Sequence, residues 1–240
     1  MSGFEFHPTT RVIFGESCID QVGAIAKELG STRTLLVTDP GIVKAGYCER
    51  VKNSLHKQAL EVLEYAEVVE NPTDLQVQKA AEFARSNSPI DLIIGLGGGS
   101  PMDVAKGTNF LLTNGGRMED YRGFNKATKP MVPSIGIPTT AGTGSEAQSY
   151  ALISQDGTHT KMACGDIKAR FRVVILDPLL TLTTPKSVTA ISGIDAITHA
   201  VETFVTKTRN PLSQMYSREA WRLLNHSFEI VLSEPSNLRA

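Results

Sequence analysis

The chain has few cysteines, few aromatics and almost no net charge, and each shortage removes a class of explanation. Its three cysteines, Cys18, Cys48 and Cys164, lie far apart and are odd in number, which argues against a disulfide scaffold and fits a reducing cytosol. Lys plus Arg is 24 and Asp plus Glu 25, a net charge of -1, and no run of basic residues stands out, so no nucleic-acid partner is expected. No stretch reaches the roughly 18 apolar residues of a membrane helix. The start, Met1-Ser-Gly-Phe-Glu-Phe, lacks the basic-then-apolar order of a secretory signal, and a cytoplasmic location with no membrane contact is the expectation. Three familiar loops are missing as well: the G-x-G-x-x-G dinucleotide fingerprint, the G-K-[ST] ending of a triphosphate loop, and the Gly-x-Ser-x-Gly nucleophile elbow. The length of 240 residues suits one large or two ordinary domains, and 41% hydrophobic residues are enough for real cores.

What is present centres on Asp91-Leu-Ile-Ile-Gly-Leu-Gly-Gly-Gly-Ser-Pro-Met-Asp103. Asp91 to Leu96 is branched and apolar without alternation, the pattern of a parallel strand covered on both faces. Gly97, Gly98 and Gly99 let the backbone turn while its N–H groups stay open. Ser100 is placed to cap the next helix, Pro101 to occupy its first position, and Asp103 to answer the cap. Such a loop is either an anion site at a helix start or a plain strand-to-helix connection.

Elsewhere the pattern alternates strand and helix. Phe4 to Phe14 reads as an edge strand or hairpin, Ile19 to Leu29 as a helix, Thr34 to Thr38 as a strand, and Ala45 to Leu55 as a helix. Leu60 to Tyr65 is a strand and Asp74 to Ala84 a helix, with Glu70-Asn-Pro-Thr73 as the loop between them. Met131 to Ile137, with Pro133 inside it, and Arg172 to Leu176 are further strands; Tyr150 to Ile153 and Thr158 to Ala163 form a hairpin around Asp156-Gly157. The order predicts an α/β fold, a parallel-sheet, Rossmann-like nucleotide-binding domain. After Leu180 only helical periodicity remains, over 184–206 and 213–231. A boundary near 183 divides an α/β domain, 1–183, from the start of an all-helical one, 184–240, whose last residues Pro235 to Ala240 do not read as a finished end.

Three further sets of residues carry chemistry. Asp39, at the tip of the second strand in Asp39-Pro40-Gly41, suits the two ribose hydroxyls of an adenosine and would repel the extra phosphate of NADP; equally, it suits a turn. Pro138-Thr-Thr-Ala-Gly-Thr-Gly-Ser-Glu146 offers the hydroxyls of Thr139, Thr140, Thr143 and Ser145 either to a ligand or to its own backbone. In Gly193-Ile-Asp-Ala-Ile-Thr-His-Ala-Val-Glu202, Asp195 and His199 stand four apart on one helical face, a half-set for a divalent cation or an ordinary ion pair. Ile194, Ile197, Val201 and Phe204 on the opposing side are expected to anchor that helix in a core, and Glu202 to be solvated.

Taken together, Gly97 to Asp103 with Lys106, Gly136 to Glu146, Asp177-Pro178 and Gly193 to Glu202 closely resemble the iron-containing (group III) alcohol dehydrogenases over essentially all 240 residues. The resemblance implies an N-terminal nucleotide-binding domain of the dehydroquinate synthase-like kind and a helical domain that carries the metal. It implies NAD and Fe²⁺ (or Zn²⁺) as cofactors, a small alcohol, aldehyde or ketone as substrate, and a homodimer formed partly through the N-terminal strand. Residue by residue, it assigns Asp39 to the choice of NAD, and Asn71, Gly97, Gly98, Gly99, Ser100 and Asp103 to the pyrophosphate and nicotinamide side. Thr139, Thr140, Thr143 and Ser145 match the second loop, Lys161 a cofactor-contacting lysine, and Leu180 the domain junction. Asp195 and His199 match the first two metal ligands, which place the substrate. Two further histidines of the family fall beyond residue 240, and His226 stands in a different context. The resemblance leaves glycerol dehydrogenase-like and maleylacetate reductase-like chemistry, or an NAD-binding but catalytically incomplete fragment, as alternatives.

Overall fold

Parallel strands buried on both faces leave no room for polar side chains, and the two most apolar runs of the chain form the middle of the sheet. The structure is a computed structural model that describes residues 3–6, 9–158 and 160–240. In chain order it has β1 (Arg11–Phe14), α1 (Val22–Glu28), β2 (Arg33–Val37), α2 (Pro40–Lys44), α3 (Tyr47–His56), β3 (Glu61–Tyr65), α4 (Asp74–Ser86) and β4 (Leu92–Gly97). There follow α5 (Gly99–Asn114), β5 (Gly123–Phe124), β6 (Ser134–Pro138), β7 (Tyr150–Ser154), β8 (Lys161–Gly165), β9 (Val173–Leu176), α6 (Lys186–Val205) and α7 (Pro211–Ser233). Six strands pair in parallel in the order β1-β9-β6-β4-β2-β3, and every residue of β4 and β6 is buried.

Two cores cover the two faces. Ile19, Val22, Ile25, Val51 and Leu55 pack on one side with Leu36, Ile94 and Ile135. Val77, Ala81, Val104 and Phe110 pack on the other with Leu35 and Ile93. The α3 crossover thus lies on one face, α4 and α5 on the opposite one, and the change occurs between β2 and β4. In an open sheet such a reversal leaves a crevice beyond the strands' carboxyl ends, here between the ends that carry Asp39 and the glycine loop. Asp91 fixes the register at the opposite end, accepting hydrogen bonds from the Ser31 and Thr32 hydroxyls and from the backbone N–H groups of Thr32 and Arg33. A second, three-stranded sheet, β5-β8-β7, contains the expected hairpin: β7 and β8 are antiparallel, Tyr150 opposite Gly165 and Ser154 opposite Lys161.

Several expectations need correction. Helix α5 begins at Gly99 with Gly98 as its cap residue and no capping side chain, so Ser100 does not cap it and Asp103 lies inside it, turned to other partners. The reason is the three glycines: Gly97 has φ of 139°, open to a residue without Cβ, and the chain enters the helix two residues earlier than a Ser cap would permit. Of Phe4 to Phe14 only Arg11–Phe14 is a strand among the described residues, an edge strand on β9 and no hairpin. The helix expected over 45–55 starts at Tyr47, because Gly46, with φ of 82°, separates it from a short helix that precedes it, α2. Strand β6 begins after Pro133, which has no N–H for a ladder. Finally, Ile194, Val201 and Phe204 are exposed, and the buried residues of α6 are the small Ser192, Gly193 and Ala200. Helix α6 packs mainly on α7 through a close approach: a Cβ at Gly193 would lie 2.2 Å from the Phe228 ring.

Candidate functional site

The crevice is built first by the glycine loop. Gly98 is extended, α5 starts directly after it, and the first turn carries no side-chain cap, so its N–H groups and dipole end are open to an anion. The loop is tightly enclosed elsewhere: a Cβ at Gly97 would meet Pro101 Cγ at 2.8 Å and Asp39 Oδ2 at 3.2 Å, and one at Gly99 would meet Thr143 at 3.3 Å. Asp39 therefore stands beside the loop. Its other oxygen accepts from Ile42 N at 3.1 Å and caps α2, so both readings of Asp-Pro-Gly hold part of the geometry: a helix start, with one carboxylate oxygen left toward the crevice. Asn71, at φ of 51°, lines the same crevice from the β3–α4 loop.

The second loop, 139–146, leaves the adjacent strand and is stitched to the first by Thr139 N donating to Gly97 O at 2.9 Å. Its hydroxyls divide into two kinds. Thr140 Oγ1 is buried without a partner and lies 3.5 Å from where a Gly98 Cβ would be, an orphan donor at the glycine loop that suits an oxygen of a bound anion. Ser145 is committed inside the protein: its hydroxyl donates to Asp103 Oδ1 at 2.6 Å and accepts from Lys106 Nζ at 3.2 Å. Burial raises the Asp103 carboxyl to about 6, against the pull of Lys106, and lowers the Lys106 ammonium to about 8. Burial also raises the Glu146 carboxyl, one of whose oxygens has no partner.

Helix α6 supplies the other wall. The i, i+4 spacing brings His199 Nε2 to 3.7 Å from Asp195 Oδ1, with both side chains about half exposed to the crevice. His199 Nδ1 lies 3.2 Å from Gly142 O; with the proton on that nitrogen, Nε2 keeps its lone pair. The loop comes this close only because residue 142 is glycine: its φ is 156°, and a Cβ there would lie 1.8 Å from Ser192 O. Carboxylate oxygen plus imidazole nitrogen is the right donor chemistry for a divalent cation. Among the described residues no group of three or more His, Cys, Asp or Glu that could hold a metal converges, so the pair by itself is not a complete ligand set. Glu202 and His226 are exposed and stand apart from them.

One cleft of about 1160 Å³ is lined by Asp39, Asn71, Gly98, Gly99, Ser100, Asp103, Thr139, Thr140, Thr143, Ser145, Lys161, Leu180, Asp195 and His199. Of the residues assigned from the sequence to the cofactor or the metal, only Gly97 is not on its wall; it shapes the turn behind it. Lys161 opens β8 at the rim and Leu180 is fully buried in the turn Pro178–Thr181. Sequence reasoning missed Gln148, Val188 and Ile191, which also line the cleft. Val188 and Ile191 share with Asp195 the i, i+3, i+4 face of α6, and that spacing was the available signal. No helix among the described residues is long and apolar enough to cross a membrane.

Comparison with known proteins agrees with this geometry. Residues 8–178 match the family model described as iron-containing alcohol dehydrogenase. The chain is 39% identical over 213 residues to "Alcohol dehydrogenase 4" of Schizosaccharomyces pombe, covering 89% of this chain and 50% of that protein. It is 32% identical over 240 residues to the "NAD-dependent methanol dehydrogenase" of Bacillus methanolicus, covering 100% of this chain and 62% of that one. Among solved structures, a 1,3-propanediol oxidoreductase superposes with a TM-score of 0.94 at 32% identity, over 99% of this chain and 62% of the other. The chain thus spans about half to three-fifths of the length of these relatives. With its family model matched over most of its length and both sequence-derived loops on one cleft, the chain belongs to the iron-containing alcohol dehydrogenase family.

Proposed function

We propose that the whole protein interconverts small alcohols with aldehydes or ketones, using NAD and a divalent metal, Fe²⁺ or Zn²⁺. In this reading residues 1–183 are the cofactor domain and 184–240 begin a helical metal-binding domain. The observation that carries it is the single cleft with an uncapped helix start on one wall and the Asp195–His199 pair on the other. The name of the methanol dehydrogenase relative, which specifies NAD, supports the choice of cofactor. Exposed Val12 and Phe14 on the edge strand β1 support a homodimer.

When bound, NAD would supply the hydride acceptor and the metal would supply Lewis acidity toward the alcohol oxygen. The chain's own residues do the placing. The Gly97–Ser100 turn receives the diphosphate on open N–H groups, with Asn71 and the Thr140 and Thr143 hydroxyls beside it. Asp39 accepts from the ribose hydroxyls and disfavours a 2′-phosphate, while Lys161 and Leu180 border the rest of the dinucleotide. Asp195 and His199 hold the metal, with the Gly142 carbonyl orienting the imidazole. The test uses protein extended to the full length of its relatives. Alcohol-dependent NADH formation should vanish on chelation and return with Fe²⁺ or Zn²⁺, and an undiminished rate without metal overturns the metal assignment. NADH binding to the 240-residue chain, followed by nicotinamide fluorescence, tests the cofactor half separately.

A further inference from the structure

Lys106 is the largest fully buried side chain among the described residues, 1% exposed, in the second turn of α5. An ammonium in such a place is costly unless every proton is used. It has three, and three acceptors meet it: Ser145 O at 2.5 Å, Tyr150 O at 2.9 Å and Ser145 Oγ at 3.2 Å. The counter-charge, Asp103, is 4.0 Å away and reaches the group through the Ser145 hydroxyl, while the Phe171 ring lies 5.2 Å from Nζ. No proton of Lys106 is left for a phosphate. All of its bonds run instead from α5 to the end of the 139–146 loop and to β7.

We propose that Lys106 is a positioning residue, a latch that holds the Thr139–Glu146 loop in register with the glycine loop so that the two present one cofactor surface. It acts through Ser145 and Tyr150 carbonyls, without touching the cofactor. The far end of the loop is tied independently, by Thr184 Oγ1 donating to Thr139 O at 2.9 Å and by Gly142 packed on Ser192. At the Lys106 end the one other charged tie to α5 among the described residues is the bond from the Ser145 hydroxyl to Asp103. Since hydrogen bonds to charged groups are strong, removing them should release that end by a measurable factor. The proposal rests on the cofactor reading only where NADH binding is the readout.

The experiment compares wild type, Lys106→Met, Ser145→Ala and the double variant by hydrogen exchange of backbone amides and by NADH titration. In Lys106→Met, amides of 139–150 should exchange about tenfold faster and the NADH dissociation constant rise about tenfold, while exchange in α1 and α3 stays at wild-type rates. Ser145→Ala should loosen the same segment less, because Lys106 keeps both carbonyls, and the double variant should fall short of the sum of the two, because the Nζ–Ser145 Oγ bond is lost in each. Unchanged exchange in 139–150, or acceleration spread evenly over the chain, overturns the latch. If Lys106→Met does not fold, Lys106→Gln, which removes the charge and shortens the reach to the Ser145 and Tyr150 carbonyls, decides alone, and wild-type exchange in 139–150 in that variant rejects the proposal. If wild type fails to bind NADH while the exchange pattern appears, the cofactor reading falls and the latch stands.

Discussion

Asp39 caps a helix and faces the glycine loop at once, and two substitutions separate the cap from the proposed ribose contact. One carboxylate oxygen caps α2 and the other stands beside the glycine loop. Asn is as good a cap as Asp but carries no charge, whereas Ala provides neither. Asp39→Ala should therefore lower stability by about 1 kcal/mol and Asp39→Asn should not. Both should narrow the preference for NADH over NADPH, by about tenfold if one desolvated charge contact is removed. Denaturant midpoints and paired cofactor titrations check this, and an unaltered preference in Asp39→Asn removes the ribose assignment. Position along a strand is legible from sequence, which is why Asp39 could be placed at a sheet edge. The partner of a buried charge is not: Lys106 is one cation in the run Val104-Ala-Lys-Gly107, and only the fold shows that its partners come from residues 39 and 44 positions later.

Among the elements, the contact between the second loop and α6 decides whether the two halves of the cleft face each other. Gly142→Ala would drive a Cβ into the Ser192 carbonyl, now 1.8 Å from its ideal position, at a backbone conformation that L-residues rarely adopt. The loop must then withdraw, with an expected loss of about 1–3 kcal/mol and of the bond that orients His199. Thermal unfolding and exchange of the α6 amides measure both; wild-type values in both would show that the loop has room to yield. The helical periodicity of α6 marked an apolar stripe correctly, yet periodicity does not identify what covers it. Within this chain α6 meets α7 through Gly193 against Phe228 and Thr203 bonded to Ser217, leaving Ile194, Val201 and Phe204 exposed. Likewise the two-residue strand β5 is too short to leave a pattern, and the early start of α5 depended on a glycine conformation that spacing does not reveal.

For the molecule as a whole, the response to pH follows from the buried pair. The Asp103 carboxyl is raised from 3.8 to about 6, so its ionised form is disfavoured in the fold, and its contribution, favourable in acid, is lost as pH rises through about 6. The Lys106 ammonium is lowered from 10.5 to about 8, and its contribution, favourable in alkali, is lost as pH falls through about 8. Between the two values both charges are carried in the interior. Asp103→Asn keeps an acceptor for Ser145 but cannot ionise, so its stability relative to wild type should rise by on the order of 3 kcal/mol from pH 4 to pH 7. Urea unfolding across that range tests it, and a pH-independent difference contradicts it. At this scale the sequence was most readable: alternating strands and helices specify a parallel sheet, and the motif order specifies the family. The crevice between β2 and β4 required the topology, because the reversal of direction is a property of strand order and not of any one strand.

The loop that bonds to Gly97 at its start also carries the carbonyl that meets the His199 ring. A dinucleotide that stiffens this loop would therefore steady the imidazole before any metal arrives. Thermodynamic reciprocity then requires a seated metal to strengthen dinucleotide binding by the same factor, so the order of loading would not matter to the final complex.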